Sequence, residues 1–255
     1  MTVKIRRVYP VLVYLCLALT LAGCATTATL PEVPAMHNLS EINDEVVTAA
    51  GEDPWEGFNH SMYNFNYDLD KYFLLPIVNT YEFITPTFAQ TGVSNFFNNI
   101  GEVRTLYNSL FQAKGGKSMV TLGRFVTNST IGIGGLFDPA TSFGLARQNE
   151  DFGQTLGVWG VGTGPYLVLP ALGPGTVRSA SGFAVDAGIH YGIKSLIGID
   201  RNLDHGDVVL AGVTALKVID NRHQQPFRYY GSEYPFEYDM VRFLYRQKRE
   251  LAVMK

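Results

Sequence analysis

From Phe152 to Val177 the chain runs for 26 residues without a single charge. A helix crossing a bilayer needs about 20 such residues. This stretch also contains Gly153, Gly157, Gly160, Gly162, Gly164, Gly173 and Gly175, together with Pro165, Pro170 and Pro174. Inside a helix, glycine costs roughly 1 kcal/mol and proline about 3 kcal/mol, which excludes one straight spanning helix. Irregular backbone cannot face hydrocarbon either, because its amide groups would go unsatisfied. The stretch must therefore fold inside the protein or break into short helices that enter one leaflet. The same constraint holds from Phe125 to Ala146, where Asp138 is the sole charge. Charged residues make up 17% of the chain and aromatics 13%, against roughly a quarter charged in ordinary soluble domains. That composition fits a protein that meets lipid, and equally an aromatic-rich soluble core.

The N-terminus reads as a targeting segment. Lys4, Arg6 and Arg7 precede an apolar run from Val8 to Thr20, and Leu21-Ala22-Gly23-Cys24 follows. The apolar run is too short to span a bilayer, and small residues directly before a cysteine suit a lipoprotein signal peptidase. Residues 1–23 are thus expected to be a signal peptide, with Cys24 as the lipidated N-terminus. The only other cysteine, Cys16, would be removed with the signal. A lone thiol in an oxidising compartment calls for an explanation, and lipidation supplies one. Ala25, where an inner-membrane retention signal would place Asp, favours the outer membrane. Two or more acyl chains give stable anchoring. Cleavage removes three cations and no acid, moving the formal charge from −3 to −6. No basic patch suggests nucleic acid.

Residues 24–52 are small and polar and read as a tether, with a short helix expected over 39–50. From Asp53 the pattern turns helical. Asp53-Pro54 looks like a capping acid followed by a first-turn proline, and Trp55, Phe58, Met62 and Phe65 recur at helical spacing. Pro76 and Pro86 should end or bend the next segments. Val103, Leu106, Tyr107, Leu110 and Phe111 form one apolar stripe, and Met119, Leu122 and Val126 another. Further helices are expected from Val208 to about Gln225 and from Phe236 to Leu251, where Arg242, Arg246, Lys248 and Arg249 suit the negative end of the dipole. Strand alternation is rare, so the body over 53–251 is expected to be all-α, with residues 252–255 as a tail.

Catalytic motifs fail one by one. Phe111 to Ser118 ends like a phosphate-binding loop but lacks its first glycine, so Lys117 reads as a solvated lysine at a helix start. Gly160-Val161-Gly162-Thr163-Gly164-Pro165 lacks both the last glycine and the strand–helix setting of a dinucleotide site. There is no nucleophile elbow, and the five histidines have no metal-ligand spacing. Asp186 and His190 read as a surface i, i+4 pair, and Asp138, Glu150 and Asp151 as caps. The sequence calls for no cofactor, no metal and no enzymatic activity.

Several blocks resemble the MlaA (VacJ) lipoprotein family. They are Asp53-Pro54-Trp55-Glu56-Gly57-Phe58-Asn59, Met62-Tyr63-Asn64-Phe65-Asn66, Arg124-Phe125, Asn128-Ser129-Thr130-Ile131-Gly132 and Gly135-Leu136-Phe137-Asp138-Pro139-Ala140. The longest match runs from Glu150 through Gln154-Thr155-Leu156-Gly157 and Trp159-Gly160-Val161-Gly162 to Pro170. Tyr238-Asp239-Met240-Val241-Arg242 closes the set. One departure is the lead into the last helix, Glu233-Tyr234-Pro235-Phe236, where the family commonly has an Asp-Pro-Tyr start.

The resemblance implies a ring-like multi-helix domain embedded in the periplasmic leaflet of the outer membrane, with a central amphipathic channel. It implies removal of mislocalised phospholipid from the outer leaflet, a trimeric porin that holds the ring, and an MlaC-like periplasmic carrier that receives the lipid. Asn64 and Phe65 then become candidate channel or gate positions, although Phe65 also reads as plain core. Gly132, Gly134 and Gly135 become a candidate hinge, or else a tight helix crossing. The rival readings are a structural or porin-accessory lipoprotein without a conduit, and a lipid hydrolase. Intact-mass analysis of the mature protein should find Cys24 carrying three acyl chains, and Cys24→Ala should release the chain from the outer-membrane fraction. A bare Cys24 overturns the anchor.

Overall fold

The computed structural model describes residues 53–197, 206–232 and 235–255. The chain divides into two compact units, Met1–Pro34 and Ala35–Lys255, and every described residue belongs to the second. The signal peptide, Cys24, the tether and the helix expected over 39–50 lie outside the described residues, as do Glu233 and Tyr234.

Helix α1, Glu56–Leu69, runs through a π-helical turn, Asp70–Leu74, into α2, Leu75–Ile84. Pro76 sits in the first turn of α2, where its missing N–H matters least. It therefore does not stop the chain, and the wider π turn before it absorbs the local change of pitch. Pro86 does end a helix, because the residue before a proline is forced extended: Thr85 has φ −102° and ψ 123°. The 25-residue α3, Thr87–Phe111, packs along α4, Gly115–Thr130. Two short helices follow, α5 at Pro139–Ser142 and α6 at Phe152–Val158. Asp138 and Asp151 cap them by accepting from Thr141 N and Gln154 N, as their positions predict. Then come α7, Val177–Ile197, α8, Gly206–His223, and α9, Glu237–Met254. The last helix runs three residues past the boundary expected at Leu251.

The expectation of an all-α body needs one correction. Tyr166–Leu169 (β1) and Gly173–Thr176 (β2) form an antiparallel hairpin inside the uncharged stretch. Prolines and glycines forbid helix there, and Tyr-Leu-Val-Leu favours a pleated surface. Pro174 lies opposite Val168. The Val168 N–H points away from β2, so Pro174 has no donor to supply.

The outer edge of β1 is closed by two asparagines of α1. Asn59 Oδ1 accepts from Val168 N at 2.8 Å, and its Nδ2 donates to Tyr166 O at 3.1 Å. Asn66 Oδ1 accepts from Ala171 N at 2.7 Å, and its Nδ2 donates to Leu169 O at 2.9 Å. Seven residues of helix rise about 10.5 Å and three residues of strand about 10 Å. Asparagines at i and i+7 therefore meet backbone groups three residues apart. Each carboxamide supplies the donor and the acceptor that a neighbouring strand would supply.

Beneath the hairpin, Tyr63, Tyr166, Val168 and Tyr238 form the buried cluster, flanked by Tyr229, Tyr230 and Tyr245. The Tyr63 and Tyr238 rings meet edge to face at 5.6 Å. Buried carboxylates take up the hydroxyls: Tyr63 donates to Glu237 Oε1 at 2.8 Å, and Tyr238 donates to Asp53. At the entry to α1 Asp53 accepts from Trp55 N at 3.3 Å, while the cap position itself falls to Trp55, with no side-chain cap; Asp53 is also bound by Asn59 at 2.8 Å and by Arg242 at 3.3 Å. Asn59→Ala leaves one N–H and one carbonyl unpaired and should cost about 2–4 kcal/mol. Ser61→Ala, on the exposed side of α1, should stay within about 0.5 kcal/mol. Denaturant unfolding of the detergent-solubilised protein measures both.

Candidate functional site

The two long central helices bury polar residues and expose apolar ones. Helix α3 buries Gln90, Asn99, Glu102, Thr105, Asn108 and Ser109, and α4 buries Ser118, Thr121, Arg124 and Asn128. The apolar stripes read from the sequence turn outward: Leu110 is 60% exposed and Met119 69%, and Phe111, Leu122 and Val126 are exposed as well. Phe83 is 91% exposed and Phe88 79%. Among the described residues, the fully buried hydrophobics are only Tyr63, Val78, Phe97, Ala140, Tyr166, Val168 and Tyr238. No described helix is long and apolar enough to cross a membrane.

The polar interior is held by charge. Arg124 Nε donates to Glu102 Oε1 at 2.7 Å, one terminal nitrogen donates to Asp138 Oδ2 at 3.0 Å, and the other donates to Thr141 Oγ1 and Leu145 O at 3.0 and 2.6 Å. Burial works against the Asp138 charge. Hydrogen bonds from Thr141, Arg124 and Asn128 more than offset it and hold the carboxyl at about 2. One guanidinium thereby ties α3, α4 and the start of α5 together.

Three sequence readings change here. Lys117 does lie in the first turn of α4, but it is not solvated: its ammonium pairs with the buried Glu150, which also accepts from Gln112 Nε2 at 3.1 Å. Asp186 is not in a surface pair with His190. It is buried and accepts from Tyr107 Oη at 2.7 Å, Asn108 Nδ2 at 3.0 Å and Phe152 N at 3.0 Å. Arg242 and Arg249 serve tertiary ion pairs rather than a dipole. Arg242 reaches Asp53 at 3.3 Å, and Arg249 grips Asp151 with two nitrogens at 2.6 and 2.8 Å. These contacts commit Asp138, Glu150 and Asp151 to caps and ion pairs.

Phe65 is 47% exposed and so is not core. Its neighbour Asn64 accepts from Tyr230 Oη at 2.5 Å. The glycines at 132, 134 and 135 lie in the turn that follows α4. Gly134 and Gly135 have φ of +69° and +94°. A Cβ at Gly132 would meet Asn128 O and Phe137 O at 2.4 Å, and one at Gly135 would meet the Asn99 amide at 2.7 Å. Gly135 N also donates to Asn128 O at 2.8 Å, so the surroundings are those of a fixed corner. Sequence reasoning passed over Asn59, Asn66, Glu102 and Asn108. Their signal is a polar period of three, four and seven running beside the apolar one.

The family model described as MlaA lipoprotein matches residues 51–252. The chain belongs to the MlaA lipoprotein family. The intermembrane phospholipid transport system lipoprotein MlaA of Haemophilus influenzae is 32% identical over 71% of this chain and 68% of its own. The protein of that name from Shigella flexneri is 40% identical over 53% of this chain and 55% of its own. A solved structure reported as the structural basis for maintenance of bacterial outer membrane lipid asymmetry superposes with a TM-score of 0.60 at 30% identity. It covers 79% of this chain and 99% of that one.

Removing one partner of a buried pair leaves an uncompensated charge. Arg124→Met should therefore cost about 3–5 kcal/mol, and adding Glu102→Gln should recover part of that loss. Thermal unfolding in detergent checks both, and an additive double variant would mean that the two groups do not act as a pair.

Proposed function

We propose that this chain sits in the periplasmic leaflet of the outer membrane, removes phospholipid that has strayed to the outer leaflet, and passes it to a soluble periplasmic carrier. The observation that carries this reading is the outward apolar surface around a polar interior. In water such a surface would drive aggregation, whereas in lipid it is solvated, and the buried hydrogen bonds and ion pairs supply the helix contacts. The family relatives named for phospholipid transport point the same way.

A two-tailed lipid needs a polar route for its headgroup and apolar room for its chains. Helices apolar on one side and polar on the other can furnish both. Phe65, exposed beside Asn64, then flanks the lipid path, and a trimeric porin holds the domain in place. With no energy source in the chain, lipid moves down a gradient.

A transfer assay from phospholipid vesicles to a purified carrier separates the readings. Transfer without fatty-acid release supports the proposal. Porin binding without transfer supports a scaffold, and fatty-acid release supports a hydrolase. Replacing Phe83 and Phe88 by Ser in a Cys24→Ala background should weaken vesicle binding at least about tenfold, since burying each phenylalanine contributes about 1.5–3 kcal/mol. Flotation measures this, and unchanged binding would mean that these rings do not enter lipid.

A further inference from the structure

Helix α3 carries two docking points on one face. Asp220 of α8 accepts from Ser94 Oγ at 2.5 Å, and Asp186 of α7 accepts from Tyr107 and Asn108. Ser94 and Asn108 are separated by 14 residues, or about 21 Å of helix at about 1.5 Å each. At about 100° per residue they lie within about 40° of arc, and Arg104 falls about 40° further round. Helices α7 and α8 thus stand on the same side of α3 but well apart along it. Their other packing partners differ, with α7 against α6 and β2 and α8 against α2. Arg104 lies along α3 between these two contacts.

Three cations and a histidine meet there. His190 lies one turn beyond Asp186 on α7, Lys194 one turn further, and Lys217 three residues before Asp220 on α8. Arg104, His190 and Lys217 are exposed and Lys194 is half-buried. Surrounding protein desolvates Lys217 and His190 even so and lowers both pKa values. Arg104 adds to the effect on Lys217, and Lys217 and Lys194 add to the effect on His190.

Among the described residues His190, Lys194 and Lys217 have no ion-pair partner. The nearby carboxylates are spoken for: Asp186 by three donors, Asp220 by Ser94 and Gln224, and Asp151, which Arg104 also faces, by Arg249. Arg104 itself donates only to the neutral Asn149 at 3.1 Å. Further along the same two helices, Tyr191, Leu196, Val213 and Val218 are exposed and apolar.

We propose that the cleft between α7 and α8, floored by Arg104 and lined by His190, Lys194 and Lys217, binds a phosphate group, namely the headgroup phosphate of a phospholipid in transit. The proposal rests on the lipid-handling reading above and adds a recognition site to it. A phosphate supplies the charge that these cations lack and accepts from several donors at once. The apolar positions on the same helices leave room for the chains.

The test uses the lipidated full chain in a non-ionic detergent. Three probes are titrated: dihexanoylphosphatidylglycerol, dihexanoylglycerol and glycerol phosphate. The phosphatidylglycerol should bind tightest and weaken as salt rises from about 0.05 to 0.5 M. The Lys194→Gln/Lys217→Gln variant should lose at least about tenfold in affinity, because it removes two charge-assisted contacts, while Lys217→Arg should bind like the parent. Equal binding of phosphatidylglycerol and dihexanoylglycerol overturns the site and leaves the lipid reading standing. Glycerol phosphate binding as tightly as the lipid, and weakened in the double variant, supports the phosphate site and overturns its lipid source. A flat salt response in the parent overturns the site whether or not the variants fold.

Discussion

The buried guanidinium of Arg124, gripped by Glu102 and Asp138, sets the terms for the rest of the domain. Helices that meet in lipid gain nothing from hiding apolar side chains from each other, because lipid tails are as apolar as leucine. Their contacts must come from hydrogen bonds, ion pairs and close packing. The interior of this domain is built that way, with Asn128, Asp138 and Thr141 around Arg124, and Gln112, Glu150 and Lys117 at the far end of α3. A polar interior of this kind is costly to break, since each orphaned group bears its full desolvation penalty. It specifies one arrangement of α3 against α4 far more sharply than a leucine seam would. Once the polar faces turn inward, the apolar stripes have nowhere to go but out.

The same constraint accounts for the hairpin. A strand edge in or near lipid is untenable unless its amides are paired, and the domain contains only two strands among the described residues. Asn59 and Asn66 stand in for a third. They lie on the face of α1 that also holds Tyr63, so the helix that closes the edge also roofs the tyrosine cluster. Hairpin, α1 and the start of α9 form one unit through Asp53 and Glu237, each bound from two or more elements.

Most helix positions were legible in the sequence because periodicity reports secondary structure whatever the solvent, but α7, Val177–Ile197, was not, since its apolar residues form no single stripe. The stripes on α3 and α4 and the caps at Asp138 and Asp151 stand where spacing puts them. The direction those stripes face was not legible, because an amphipathic helix looks the same whether its apolar side meets protein or lipid. Low charge and many aromatics left that choice open. Asp53 was legible only in part: Asp-Pro before an apolar run is a sound local cap signal, and the carboxylate does accept from Trp55 N, but Asn59, Tyr238 and Arg242 share it, and two of those lie over 180 residues away in sequence. Lys117 and Asp186 fail alike, each drawn into long-range pairing that no local window contains. The hairpin escaped because two four-residue strands are too short to show alternation.

A division among the cations ties fold to function. Arg124, Arg222, Arg242 and Arg249 are each matched to a carboxylate and largely withdrawn from solvent. Their planar forks suit fixed bidentate pairing, and Arg222 uses one such fork to fasten α8 to Asp70 in the π turn. Lys194 and Lys217, by contrast, are compact ammonium charges on flexible stems with no partner among the described residues. Gathering like charges on one surface serves no need of folding, since their repulsion costs stability. The arginines hold the helices, and the lysines, unmatched among the described residues, carry with Arg104 the charge that the proposed phosphate would offset.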